Sequence, residues 1–481
     1  MTWGVLSFGA VYPWAYWPLL TVAAVVGALG MFNASHALRR LTVDGSVAAA
    51  LMMLCLATAL QLTPFPATTL ASLSPATERF LRQYDVAFAV TAENPRITSD
   101  APGDGVGRPA AHALSINPQA TRVGLAFLAC FGIFLLGLTV VLSRTGARPL
   151  ALGLIGIGLL VAVIGIVQQP LYAGKIYGFW EPQQKGRAPF GPFVNPHHFA
   201  GWMMMMISVT GGYFCARLAQ AMRGVKREWR SQLLWFSSPD ANKLLIVGFS
   251  LIVMTLSLVL TLSRSGISAL ALAFVIATGI VGRRLRGTSR RRFGASYFAV
   301  ALMLAVAWVG VDVVADRFAG ASWETIGGRL GAWKDSINVI EDFPLTGTGL
   351  NTYGSAMLLY QTFEVDLHYQ EAHNDYLQLA AEGGLLLGIP AILAFGFFVR
   401  AVRQRFREPS DETTYWIRAG AVIGLVAIGL QEIVDFSLQM PGNATLFCVL
   451  AAIAVHRAPA LRRVNVPATI SSSHSPITVQ R

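Results

Sequence analysis

Apolar runs of roughly 17–25 residues recur along this chain, the length a helix needs to cross a bilayer. Eleven membrane helices are predicted, over 13–35, 45–64, 121–143, 149–168, 197–220, 243–262, 266–282, 295–314, 376–399, 416–435 and 442–457. The polar segments between them alternate in character. Those after the first, third, fifth, seventh, ninth and eleventh runs carry arginine and lysine, among them Arg39 and Arg40, Arg144 and Arg148, and Arg400, Arg403 and Arg407. The intervening ones carry few. That alternation is the positive-inside pattern; it places the basic loops and the C-terminus in the cytoplasm and the other loops outside. The opening MTWGVLSFGAVYPWAYW is short and aromatic and reads as re-entrant or interfacial, or as the remnant of an upstream span. No cleavable signal peptide is expected there.

Three outer segments stand apart. Residues 65–120 are rich in Pro, Ala, Ser and Gly, and SDAPGDGVGRPA within them is expected to be flexible. Residues 169–196 end in KGRAPFGPFVNP, just before HHFAGW opens a span. Residues 315–375 form the largest loop. There Trp323, Ile326, Leu330, Trp333, Ile337 and Ile340 recur at intervals of three and four, which predicts an amphipathic helix stopped near Pro344 and lying on the bilayer or capping the bundle. The organisation is therefore 1–64 N-terminal spans, 65–120 outer loop, 121–314 a bundle carrying loop 169–196, 315–375 large outer loop, 376–457 C-terminal spans and 458–481 a cytoplasmic disordered tail.

Composition supports an all-α polytopic membrane protein of about 11–12 helices with a large helical outer loop. The 481 residues are 54% hydrophobic and 13% charged, with a mean hydropathy of +0.54. A soluble protein carries roughly 25% charged residues. The net charge of +12 would suit a nucleic-acid partner, but its confinement to alternate loops points to orientation in a bilayer instead. Cys55, Cys130, Cys215 and Cys448 all fall in apolar runs and are expected to be core residues without disulfides.

Candidate chemistry gathers on the outer side. Arg264, in LTLSRSG, sits on the weakly basic face, where a fixed guanidinium suits phosphate oxygens. Arg329 follows Gly327 and Gly328, which would let a ligand approach the backbone. His373 lies at the mouth of a span beside Glu371, Asn374 and Asp375, where an imidazole near neutrality can act as a general base. In NPHHFAGW, Asn195, His197 and His198 repeat the theme, without a complete set of metal ligands. Gln431, Glu432 and Asp435 are placed in the outer half of a span, as functional groups or as a hydrogen-bonding knot.

In order, GPFVNPHHFAGW, LTLSRSG and the stretch from GRLGAW through DFPLTGTGLNTY to AHNDYLQLAAEGGLLLG resemble the O-antigen ligase and polymerase family. The resemblance covers roughly 170–400, although His197 stands where a second asparagine is expected. It implies a glycosyltransferase C-like, metal-independent enzyme of the bacterial inner membrane, without a cofactor. Such an enzyme transfers a glycan from undecaprenyl pyrophosphate to an acceptor glycolipid or glycan at the periplasmic face. By the same resemblance Arg264 and Arg329 hold the pyrophosphate, His373 is the base, Asn374 and Asp375 orient it, and Arg187, Asn195 and His198 contact substrate. Ligase and polymerase stay open alternatives. A transporter or flippase of lipid-linked glycans is a third reading, disfavoured because no repeat relates the halves and the polar groups gather at one face.

Overall fold

The computed structural model describes residues 1–33, 44–93, 111–182, 189–221, 239–282 and 323–459. Ten apolar helices carry the bundle within that range: α1 (Pro13–Phe32), α2 (Gly45–Gln61), α3 (Pro118–Thr145), α4 (Arg148–Leu171), α5 (Pro196–Ala221), α6 (Pro239–Leu260), α7 (Arg264–Gly282), and, beyond the outer loop, α10 (Asp375–Arg407), α11 (Glu412–Gln431) and α12 (Pro441–Val455). The outer loop supplies α8 (Trp323–Asp342) and α9 (Tyr353–Tyr360). Seven of the ten bundle helices are long and apolar enough to cross a membrane; α2, α12 and the described apolar part of α7 are shorter. The fold is all-α and polytopic. The expected span 295–314, the segment 99–110 and the tail beyond 459 lie outside the described residues.

Sequence sets many of the helix starts. Proline occupies the first turn of α1, α3, α4 and α12, where its missing N–H costs nothing. The side chains of Asp44, Asn117, Asn374 and Asp411 cap α2, α3, α10 and α11. Helix α5 is the axis of the bundle. The run Met203–Met206 is wholly buried, a use suited to flexible thioethers filling irregular gaps. Against it α11 packs backbone to backbone: a Cβ on Gly212 would lie 2.4 Å from the Trp416 carbonyl oxygen, so only glycine permits the approach.

The two helices run antiparallel and define two ends. At one, Gln220 donates to Thr413 at 2.7 Å; at the other, Gln431 donates to the His197 carbonyl at 3.1 Å. The first end is basic. There Arg405 and Arg418, 5% and 1% exposed, cross-link three helices through main-chain carbonyls. Arg405 Nε donates to Val455 O at 2.8 Å, while Arg418 donates to Arg405 O and His456 O at 3.0 and 2.8 Å.

The second end carries the cap. A two-strand antiparallel pair, β1 (Pro64–Pro66) with β2 (Ala111–Ala113), closes segment 64–113, which also holds helices Ala67–Leu73, Pro75–Tyr84 and Val86–Glu93. Its Ala76 joins Val339, Phe343, Tyr353, Met357 and Ala381 in one apolar cluster, so this segment, α8, α9 and the start of α10 pack together.

Three expectations change. The amphipathic helix exists, but its most buried face is rotated from the apolar stripe: Leu330 and Ile337 are exposed and Trp333 and Ile340 half-buried, while Ala332, Asp335, Ser336 and Val339 are buried. Asp335 explains the rotation, because its carboxylate accepts both the N–H and the hydroxyl of Thr362 and must face the loop. The predicted span 416–435 ends at Gln431, so Glu432 and Asp435 lie in the turn that follows. The span predicted over 376–399 reaches Arg407 but is broken at Gly384 (φ 51°, ψ −152°).

Candidate functional site

Helix α10 opens on Asn374, whose Oδ1 accepts the N–H groups of Tyr376 and Leu377, both at 3.1 Å. The residue before it, His373, has φ +51°, a conformation that non-glycine residues rarely hold. This turn sets the imidazole against Phe436, ring centroids 4.7 Å apart and nearly perpendicular. His198, from the first turn of α5, meets the same Phe436 ring at 4.7 Å. Thus two histidines distant in sequence share one aromatic wall.

Carboxyl groups and two glutamines surround that turn. The Asp375 N–H donates to Glu432 O at 3.1 Å, and Asp375 Oδ1 accepts Gln439 Nε2 at 2.7 Å. Gln378 Nε2 reaches Glu371 at 2.7 Å, Gln439 Oε1 at 3.2 Å and Glu382 at 3.3 Å, while its Oε1 accepts the Ala372 N–H at 3.0 Å. Burial, with the negative charge of Glu382 adding to it and the Gln378 hydrogen bond opposing it, pushes the Glu371 carboxyl up to about 8.

A second chain of contacts ties the starts of α5 and α7 to the same place. Asn195 Oδ1 accepts the His197 N–H at 2.9 Å, and His197 Nδ1 meets Ser263 Oγ at 2.8 Å. Ser265 Oγ donates to Asp435 Oδ2 at 3.3 Å. Between these serines is Arg264, half-buried, the first residue of α7. It has no hydrogen-bond or ion-pair partner among the described residues. A guanidinium on the positive end of a helix dipole concentrates cationic potential, which an anion relieves.

Arg329 enters from α8. One turn later on the same face, Trp333 Nε1 donates to Ala372 O at 3.0 Å, next to His373. The helix therefore brings Arg329 to the neighbourhood of the His373 turn.

The break in α10 holds this loop in place. Where the helix is interrupted, Leu385 and Leu386 donate to Pro344 O and Leu345 O, both at 2.9 Å. In return Ala381 O and Glu382 O accept Thr348 and Gly349 N–H at 3.0 and 2.9 Å. Glu382 then accepts the N–H groups of Asn351 and Tyr353 at 2.7 and 3.0 Å, and Gln61 Nε2 from α2 donates to Thr346 O and Glu382 O at 2.7 and 2.9 Å. A broken membrane helix is tolerated because other segments satisfy the freed groups.

Of the residues singled out from sequence, His373, Asn374, Asp375, Asn195, His198 and Arg264 meet at this end, and α8 carries Arg329 toward it. Arg187 lies outside the described residues. The described hydrogen bonds of Asn374 and Asn195 cap helices, and those of Asp375 run to Glu432 and Gln439. Sequence reasoning missed Gln378, Glu382, Phe436 and Gln439. Gln378 and Glu382 had a signal, since their i, i+4 spacing in an otherwise apolar helix places two polar groups on one face; Phe436 and Gln439 had none. Among the described residues no group of three or more His, Cys, Asp or Glu side chains is arranged to hold a metal ion.

A family model described as O-antigen ligase matches residues 249–392. That match supports the resemblance of this segment to O-antigen ligases and polymerases. The matched segment contains Arg264, Arg329, the His373 turn and the break in α10. No curated protein matches the chain.

Proposed function

We propose that the chain transfers a glycan from undecaprenyl pyrophosphate to an acceptor hydroxyl, with inversion at the anomeric carbon and without a divalent metal. The acceptor oxygen attacks that carbon and the bond to the pyrophosphate oxygen breaks. The leaving oxygen takes the electron pair, and the acceptor proton passes to the His373 imidazole. Arg264 and Arg329 stabilise the charge that develops on the departing pyrophosphate. Pyrophosphate leaves readily, so the nucleophile is the partner that needs assistance.

The observation that carries this reading is the convergence of Arg264 and His373 at one end of the bundle. Arg264 offers a guanidinium with no internal partner among the described residues, and His373 is fixed on Phe436 by a strained turn. The family match and the positive-inside pattern support reading this end as the periplasmic face of a bacterial inner membrane, where lipid-linked glycans would be presented. A lipid A core sugar is the first acceptor to test, as for a ligase. The growing end of a second lipid-linked glycan would make the protein a polymerase.

The test is transfer by purified protein in lipid, given an undecaprenyl-pyrophosphate glycan and each acceptor in turn. His373→Ala is expected to keep donor binding and lose ~10²–10⁴-fold in rate. His368→Ala, altered at an exposed histidine, should act as wild type. Normal turnover by His373→Ala would remove the base from the mechanism.

A further inference from the structure

We propose that Gln378 and Gln439 are positioning residues for His373. Their side-chain amides bond to each other and to the carboxyl groups two residues before and two residues after the histidine, which closes the turn Glu371–Asp375 into a ring. The inference deepens the glycosyl-transfer reading and, for its effect on rate, rests on it.

The ring runs from one carboxyl to the other. Glu371 Oε2 accepts from Gln378 Nε2 at 2.7 Å, Gln378 Nε2 also donates to Gln439 Oε1 at 3.2 Å, and Gln439 Nε2 donates to Asp375 Oδ1 at 2.7 Å. The backbone from Glu371 to Asp375, with His373 in its middle, completes the circuit. The two amides have one consistent orientation. Gln378 Oε1 accepts the Ala372 N–H at 3.0 Å, so its NH2 must face Glu371 and Gln439. Gln439 then turns its oxygen to Gln378 and its NH2 to Asp375, the arrangement that a carboxylate acceptor requires.

A histidine at φ +51° stays there only where its surroundings leave no alternative. Other contacts each hold one flank of the turn. Trp333 Nε1 fixes the Ala372 carbonyl before the histidine, while the Asn374 cap and the bond from Asp375 N–H to Glu432 O fix the chain after it. The amide pair joins the two flanks. It also ties them to the aromatic wall, because Gln439 lies three residues after Phe436 and its N–H donates to Phe436 O at 3.2 Å. One short segment thus supplies both the ring against which the imidazole packs and a bond that holds the turn presenting it. Gln378, 5% exposed, extends the circuit to Glu382 at 3.3 Å, the carboxyl that gathers the Asn351 and Tyr353 N–H groups.

Methionine matches glutamine in length and makes none of these bonds. Gln439→Met removes side-chain bonds only and leaves each backbone N–H of the turn its acceptor. It is expected to lower kcat ~10²-fold, as misplacement by an ångström does, with donor KM within about threefold. Gln378→Met should do the same, and the double variant should lose no more than about tenfold beyond either single one, because residues that act as a unit are lost together. In a His373→Ala background neither substitution should lower the residual rate further, since both act through the imidazole; residues that only support the fold would lower it again. Hydrogen exchange gives a readout without glycan: in Gln439→Met the amides of 371–377 should exchange roughly tenfold faster, about the worth of one hydrogen bond, while those of α5 and α11 stay as in the parent. Losses that multiply in the double variant, a further loss without His373, or unchanged exchange of the turn would each overturn the inference. Should the parent protein transfer no glycan, the glycosyl-transfer reading fails, and exchange alone decides whether the amides close the turn. Should Gln378→Met not fold, Gln439→Met, altered at a half-buried side chain, decides by its kcat and its exchange.

Discussion

Replacing Gly384 by alanine tests how the site is built. Its backbone, φ 51° and ψ −152°, lies in a region reached almost exclusively by glycine, which costs another residue about 1–3 kcal/mol. A Cβ there would stand 2.6 Å from Gly347 N and 2.8 Å from Leu345 C and Pro344 O, all backbone atoms tied into the hydrogen bonds that mend the broken helix. Overpacking against atoms that cannot yield adds roughly 1–3 kcal/mol. The facing loop has no room to retreat, since a Cβ on Gly347 would already lie 2.2 Å from Glu382 C. A destabilisation of several kcal/mol is a large share of a typical margin of about 5–15 kcal/mol. Gly388, four residues on in the same helix, has open space around its Cβ position and is the control; alanine there should be neutral or slightly stabilising. The assays are thermal melting of purified protein in detergent and glycan transfer in lipid. Gly384→Ala should melt lower by about 5 °C or more and lose transfer, because the loop that meets the break also supports the His373 turn. A Gly384→Ala protein that melts and turns over like Gly388→Ala would refute the reasoning.

Arg264→Lys and Arg329→Lys should each insert normally yet lose most transfer, since an ammonium cannot reproduce the planar fork; wild-type rates in both would argue against a bidentate hold on pyrophosphate. Glu371 is raised to about 8 against an ordinary value near 4.5, so the folded state retains a proton that the unfolded state has shed. Stability should then fall as pH rises from about 4.5 to about 8 and level off above, and Glu371→Gln should flatten that slope in melting curves. For orientation, a cysteine at exposed Ser72 should react with an impermeant thiol reagent from the periplasm and one at exposed Gln404 only after access from the cytoplasm; the reverse would invert the bundle.

Much of this architecture was legible because membrane crossing imposes length and apolarity on sequence, and because arginine reports orientation. The described apolar helices and the basic end of the bundle follow from those rules. The place of His373 was legible for a related reason, since polar groups at the mouth of a span are costly and conspicuous. What failed to show was determined by contacts between distant segments. The rotation of α8 depends on Asp335 finding Thr362, and the break at Gly384 on a loop some forty residues upstream in the chain. Phe436 is an ordinary aromatic until two histidines from elsewhere meet it. The early end of α11 was hidden because Ile433, Val434 and Phe436 continue the apolar run past the last helical turn.

The carbonyl-bound arginines at the basic end bear on the order in which the chain is made. Arg405 and Arg418 emerge from the ribosome before their acceptors at Val455 and His456 exist, so these two bonds form only once α12 is delivered. That same helix and the turn ahead of it bring Asn443 to the His198 carbonyl, at 3.0 Å, and Gln439 to Asp375 at the opposite end. Helix α12 is therefore a closing piece at both ends. A nascent chain that lacks it has neither the carbonyl seam at the basic end nor the Gln439 contact to Asp375 beside the histidine turn, so the two ends of the bundle are completed by one stretch of sequence.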